Sequence, residues 1–219
     1  MKTKILMLTI ISVLSGCASS LPKEQEMASL HGGYTYKEMD YSKDEKGLFW
    51  RSAELGNTQY QNIIVEDVNV NLSNGIKNKI KVVDLDSFEE NIKSSLSAKS
   101  EKLFPNDKTA DHQATVDVNI IEIEDIGEDV KFREIIPIGG VISLAKYAAG
   151  TRDRSVRIVV DIDVKDKSDG HLLARRVFVV NNNGVLENED SMITGKILES
   201  DVNKITEQGV SFILHTLYM

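Results

Sequence analysis

Val156-Arg157-Ile158-Val159-Val160-Asp161-Ile162-Asp163-Val164 places Val156, Ile158, Val160, Ile162 and Val164 at every second position, the period of a strand with one apolar face. Lys165-Asp166-Lys167-Ser168-Asp169-Gly170 follows, and then a second apolar run from Leu172 to Val180. Two such runs joined by a polar, Asp-Gly-containing loop make a hairpin. Asp161 and Asp163 share the opposite face. Alternating charge of this kind is expected on a sheet face turned to water, so the pair is read as solvated rather than as a hydrolase's acids.

Upstream, Ala114, Val116, Val118 and Ile120 alternate with Thr115, Asp117 and Asn119, giving a second strand with a wet side. Ile121, Ile123 and Ile126 then change phase, while Glu122, Glu124, Asp125, Glu128 and Asp129 build an acidic end. Calcium loops need fixed spacing and a tight glycine turn, and this end has neither, so it reads as a solvated strand end. Earlier still, Ile63, Val65, Val68 and Val70 form a β-branched run whose phase breaks after Val65, the mark of a bulge or of a strand buried on both faces. Leu85, Phe88, Ile92, Leu96, Ser100 and Leu103 recur at helical spacing. Asp86 with Glu89 reads as the helix start and Pro105 as its stop. Downstream, Asn181-Asn182-Asn183-Gly184 reads as a turn, and Ile197 or Leu198, Val202, Ile205, Gly209 and Phe212 mark a final helix. The expected fold is α+β: a two-layer sandwich with a mixed, mostly antiparallel sheet of about four strands, in the order β-α-β-β-β-α, backed by two helices.

Two segments stand outside this frame. Tyr34, Tyr36, Tyr41, Phe49 and Trp50 crowd into one short span of a chain that is only 6% aromatic. They read as an irregular segment pinning itself across the core, with an aromatic recognition surface as the other reading. The second is the apolar, Gly-rich insertion at 135–150, sixteen residues where a strand connection needs only a few. Pro137, Gly139, Gly140 and Lys146 argue against a membrane span. Either it packs on its own domain, or Ile138, Val141, Leu144 and Tyr147 present a contact surface for a partner or a second copy.

At the N-terminus, Lys2 and Lys4 precede an apolar run from Ile5 to Leu14, of signal-peptide length and too short to span a bilayer. Leu14-Ser15-Gly16-Cys17 closes it, and Cys17 is the only cysteine, so no disulfide forms within one chain. These four residues resemble the lipobox of bacterial lipoproteins. The resemblance implies that Leu14, Ser15 and Gly16 are recognised by the signal peptidase and that Cys17 is acylated. With Ala18 next, it implies transport to the outer membrane. Residues 1–16 are thus expected to be a signal peptide, 17–33 a lipidated flexible tether, of which the dozen or so residues from Ala18 to about Leu30 reach at most ~40 Å, and 34–219 a single domain.

Cleavage before Cys17 leaves 203 residues, and the loss of Lys2 and Lys4 takes the net charge from −8 to −10. An acidic body argues against nucleic acid and against electrostatic docking on anionic lipid, so the expected membrane contact is acylated Cys17. His31, His112, His171 and His215 show no metal-ligand spacing, and no nucleophile elbow or phosphate loop is present. No catalytic residue, metal or cofactor is assigned. Taken in order, the lipobox, the aromatic segment leading into Tyr60-Gln61-Asn62-Ile63-Ile64-Val65, the Ala114-to-Glu124 strand, the insertion and the hairpin resemble a family of bacterial lipoproteins catalogued only as a domain of unknown function. The order of elements is also similar to the curli-secretion lipoprotein and the N-terminal domain of TolB. The resulting expectation is a lipid-anchored, non-enzymatic accessory or assembly component at the periplasmic face of the outer membrane, partnered by itself or by another envelope protein. A periplasmic small-molecule or lipid-binding module is the alternative, and a hydrolase the third.

Overall fold

The computed structural model describes residues 21–28, 30, 33–40, 46–72, 76–104, 109, 111–127 and 153–218. Among these, one six-stranded sheet runs in the order β1-β2-β6-β5-β4-β3. Its strands are β1 (Lys37–Asp40), β2 (Lys46–Arg51), β3 (Asn62–Val70), β4 (Gln113–Gly127), β5 (Arg154–Asp166) and β6 (Leu172–Leu186). Three α-helices accompany it: α1 (Glu24–Ala28), α2 (Val82–Leu103) and α3 (Gly195–Tyr218). Only β3 and β4 pair in parallel, and every other pairing is antiparallel. No helix among the described residues is long and apolar enough to cross a membrane.

The α+β class stands, but the expected four strands and two helices do not. The two missed strands lie in the aromatic segment. β1 is four mainly polar residues and β2 holds Gly47 in the row Lys46-Gly47-Leu48-Phe49-Trp50-Arg51, so neither displays the alternation that reveals a strand. Pairing with β6 makes β2 a strand, and pairing with β2 makes β1 one. The aromatics do pin the segment: Phe49 meets Phe212 edge-on at 5.9 Å, and Tyr34 lies 4.2 Å from Trp50 between ring centroids.

The core lies between the sheet and the pair α2 and α3. Phe88, Ile92 and Leu96 of α2 and Phe212 of α3 are at most 2% exposed. They join one cluster with Val116, Val118, Ile158, Val160, Ile162 and Phe178 of the sheet, each such side chain contributing roughly 1.5–3 kcal/mol. At Gly209 helix α3 passes close to the sheet, since a Cβ there would sit 3.1 Å from Ile162 Cδ1. Arg176 is fully buried on this same face and ties β6 to α3 by donating to the carbonyl and side-chain oxygens of Gln208.

Two local readings need correction, and a third is resolved in favour of one of its alternatives. Helix α2 begins at Val82 rather than at Asp86, with an extended Lys81 as its uncapped lead. Asp86 and Glu89 lie inside the helix and so cannot form its capping box; the Glu89 carboxylate instead accepts the backbone N–H of Val70 at 2.9 Å. The Asn181–Gly184 stretch is not a turn but a bulge inside β6, where the register jumps from Val156–Asn182 to Arg154–Leu186. Gly184 absorbs it with φ at 66°, and its N–H donates to Ser155 Oγ. The phase break after Val65 is a bulge in β3. Glu66 and Asp67 occupy that bulge, and Lys93 donates to the Glu66 carbonyl.

Candidate functional site

The second face of the sheet was expected to be wet. It is covered. Met27, Leu30 and Tyr36 from the N-terminal segment pack with Ile121 on Val159, Val177 and Val179, a small apolar patch separate from the main core. Residues 24–28, inside the stretch read as a tether, form the short helix α1 and dock on this face. Thr115, Asp161 and Asp163 are accordingly buried, the last two at 2% and 4% exposure. The alternation on β4 and β5 was read correctly, but the charged side faces a cover rather than solvent.

Two clusters of ionisable groups fasten the cover. The first centres on Arg157, which is 1% exposed. Its guanidinium donates to Glu26 Oε1 at 2.5 Å and Oε2 at 3.0 Å, to Glu124 Oε2 at 3.1 Å, and to the Leu21 carbonyl at 3.4 Å. Lys23 donates to both oxygens of Glu124 at 2.7 Å. Burial alone would raise the Glu26 pKa. The Arg157 hydrogen bond and charge, with the Lys23 N–H, outweigh it and hold the carboxyl below its ordinary range. This forked arginine–carboxylate geometry is among the strongest charge-assisted arrangements available to a protein.

The second cluster centres on Arg175. It donates twice to Asp163, with Nη2 to Oδ2 at 2.6 Å and Nε to Oδ1, and its Nε lies 3.4 Å from Asp161 Oδ1. The guanidinium sits 6.0 Å from the centroid of the Tyr34 ring. Lys165 donates to Asp117 at 2.6 Å beside it. Burial, and then the neighbouring Asp163 charge, push the Asp161 carboxyl up to about 7, against the opposing pull of Arg175. A carboxyl with that value exchanges its proton near neutrality, which is what acid–base chemistry uses. Here it lies beside Arg175, which the Tyr34 ring faces, so its proton alters the charge beneath the cover.

Two of the acids at the end of β4 are paired rather than simply solvated, and Glu128 and Asp129 lie outside the described residues. Glu124 is held by Lys23 and Arg157, and Asp125 by Lys79 at 2.5 Å and Arg154 at 3.4 Å. Among the described residues, no three His, Cys, Asp or Glu side chains gather as a metal site. His171 bonds Asp169 and His215 bonds the Ser211 carbonyl, while the His112 ring lies 6.2 Å from that of Tyr60. Tyr60 donates to Asp166 at 2.9 Å, and burial with that contact raises its pKa. Leu14, Ser15, Gly16 and Cys17 lie outside the described residues, as do His31 and the insertion residues Ile138, Val141, Leu144 and Tyr147.

Sequence reasoning missed the Arg157 cluster. One signal was present: an arginine amid Val156, Ile158, Val159 and Val160 must find an acid if that strand is covered. The acid itself, Glu26, stands 131 residues away, and no local pattern links the two.

Comparisons with known proteins place the chain as follows. It is similar to PelC from Paraburkholderia phytofirmans, solved as a dodecamer, at 10% identity over 80% of this chain and 97% of that one, with a TM-score of 0.33. It is similar to protein XCC0632 from Xanthomonas campestris at 14% identity over 73% and 89% of the two chains, TM-score 0.39. A neuraminyllactose-binding hemagglutinin homolog from Helicobacter pylori is similar at 13% identity over 74% and 85%, TM-score 0.39. No curated protein sequence matches. One family model spans residues 33–192, most of the body just described, and the chain belongs to that family, described as Protein of unknown function (DUF3313).

Proposed function

We propose that the protein is a lipid-anchored component of the cell envelope, held by acylated Cys17 at the periplasmic face of the outer membrane and serving there as a non-enzymatic accessory or assembly element. The observation that carries this reading is the N-terminal sequence. A lysine-led apolar run ends in Leu14-Ser15-Gly16-Cys17, with Ala18 next, and places the chain's only cysteine at the cut site. Two or three acyl chains on one residue are enough for stable anchoring, where one alone is marginal.

Metabolic labelling with an alkyne fatty acid tests it. The full chain is expected to take up label and sediment with outer membranes, and Cys17→Ser to do neither. An unlabelled wild-type chain, or label that survives the substitution, overturns the anchor. For the assembly role, a photo-crosslinking residue in place of Tyr147 should give a discrete self or hetero adduct in cells, and labelling confined to its own domain removes that support. The alternative of a ligand pocket between sheet and helices is not favoured, because Phe88, Ile92, Leu96, Ile162 and Phe212 fill that space.

A further inference from the structure

A surface of unlike composition lies at one end of this acidic protein. Lys77-Asn78-Lys79-Ile80-Lys81 holds three lysines and no acid, in a chain of net charge −8. Val82 and Val83 follow at the head of α2, 72% and 64% exposed, more so than the other large apolar side chains that reach water among the described residues. Next to them Val70, Leu72, Ile80 and Leu85 line a shallow groove of about 380 Å³. Exposed aliphatic side chains framed by lysines suit a lipid surface, where ammonium groups meet phosphates and the aliphatic side chains enter the acyl boundary.

A separate observation places the lysine loop and the start of the described chain at the same end of the molecule. Arg157 holds both Glu124 and the Leu21 carbonyl, and Lys79 holds Asp125. Glu124 and Asp125 are consecutive on β4, so the point where the chain departs toward Cys17 and the lysine loop are fastened to one strand end. Only Ala18, Ser19 and Ser20 separate Cys17 from Leu21, a reach of at most ~14 Å. The β5–β6 turn, which includes Lys167, lies at the opposite end, the length of β5 or about 40 Å away. Of the acids at this end, Glu124 and Asp125 each carry two cationic partners, while Asp86, Glu187, Glu189 and Asp190 are exposed and oppose the lysines. The apolar contact of Val82 and Val83 must therefore carry more of the binding than charge does.

We infer that Lys77 to Val83 is a lipid-contact surface. Lys77 and Lys81 meet headgroup phosphates, and Val82 and Val83 enter the interface of the bilayer that holds the acyl chains. The domain thus rests on the membrane end-on instead of floating at the limit of a long tether. This rests on the acylation of Cys17 proposed above.

The test uses the full acylated chain in vesicles of phosphatidylethanolamine and phosphatidylglycerol. Acylation consumes the Cys17 thiol, so Val83→Cys and, separately, Lys167→Cys each offer one thiol to a maleimide fluorophore. Aqueous iodide is expected to quench the label at position 83 about fivefold less than that at 167, as shielding by an interface requires. Adding Lys77→Glu and Lys81→Glu should restore quenching at 83. Equal quenching at both positions, with acylation confirmed by intact mass, overturns the lipid contact and leaves the anchor standing. An intact mass without acyl chains overturns the anchor itself, and this inference with it.

Discussion

The two faces of the sheet are covered by different means. Against α2 and α3 the sheet presents valine, isoleucine and phenylalanine, and adhesion there grows with apolar area and tolerates small shifts. Against the N-terminal segment it presents Arg157, Asp161, Asp163, Arg175 and Lys165 around three valines, and adhesion depends on the placement of individual charges. Desolvation cancels much of the gain from buried ion pairs, so such a cover is specific without being strongly held. The helix face therefore sets whether the domain folds, and the charged face sets where its N-terminal segment lies.

The largest effect should come from the helix face. Phe212→Ala removes a fully buried ring from the sheet–helix core and should cost about 3–5 kcal/mol, unfolding the whole domain at lower urea as read by circular dichroism. Arg157→Met should cost about 2–3 kcal/mol, less than a fully sealed pair because Glu124 is partly exposed. Its signature should be local: faster tryptic cleavage at Lys23 before any global transition. Global unfolding with no selective exposure of Lys23 would mean that the two faces form one cooperative unit.

The smallest effect should be a pH dependence. The folded pKa of Asp161, about 7, lies above its ordinary value of 3.8. The folded state therefore binds more protons between these values, and stability should fall as pH rises from about 4 through 7. Asp161→Asn should flatten that slope and stabilise the protein at pH 8 by about 1–2 kcal/mol, since Arg175 loses one carboxylate in exchange. Urea midpoints at pH 5 and pH 8 decide it, and an unchanged slope would show that Asp161 ionises freely beneath its cover.

Much of the helix face is legible in sequence because its rules are periodic. The alternation from Val156 to Val164 and the three-four spacing from Phe88 to Leu96 state their own partners' chemistry. The charged face is hidden because alternation says only that a strand has two unlike sides, and not whether the polar side meets water or another part of the chain. β1 and β2 are hidden for a related reason: Lys37-Glu38-Met39-Asp40 becomes a strand through the hydrogen bonds of its neighbour. Helix α1 is five residues long and carries no helical apolar repeat to announce it.

The last strand of the sheet, β3, is an edge, and its surroundings bear on how the chain meets other polypeptides. A bare β-edge offers hydrogen bonds to any extended polypeptide nearby and seeds aggregation in a crowded compartment. In this protein Glu89 occupies the Val70 N–H, Lys93 occupies the Glu66 carbonyl, and the bulge holds Glu66 and Asp67 in the edge itself. Two charged side chains of α2 thus fill backbone positions on this edge that a foreign strand would otherwise need.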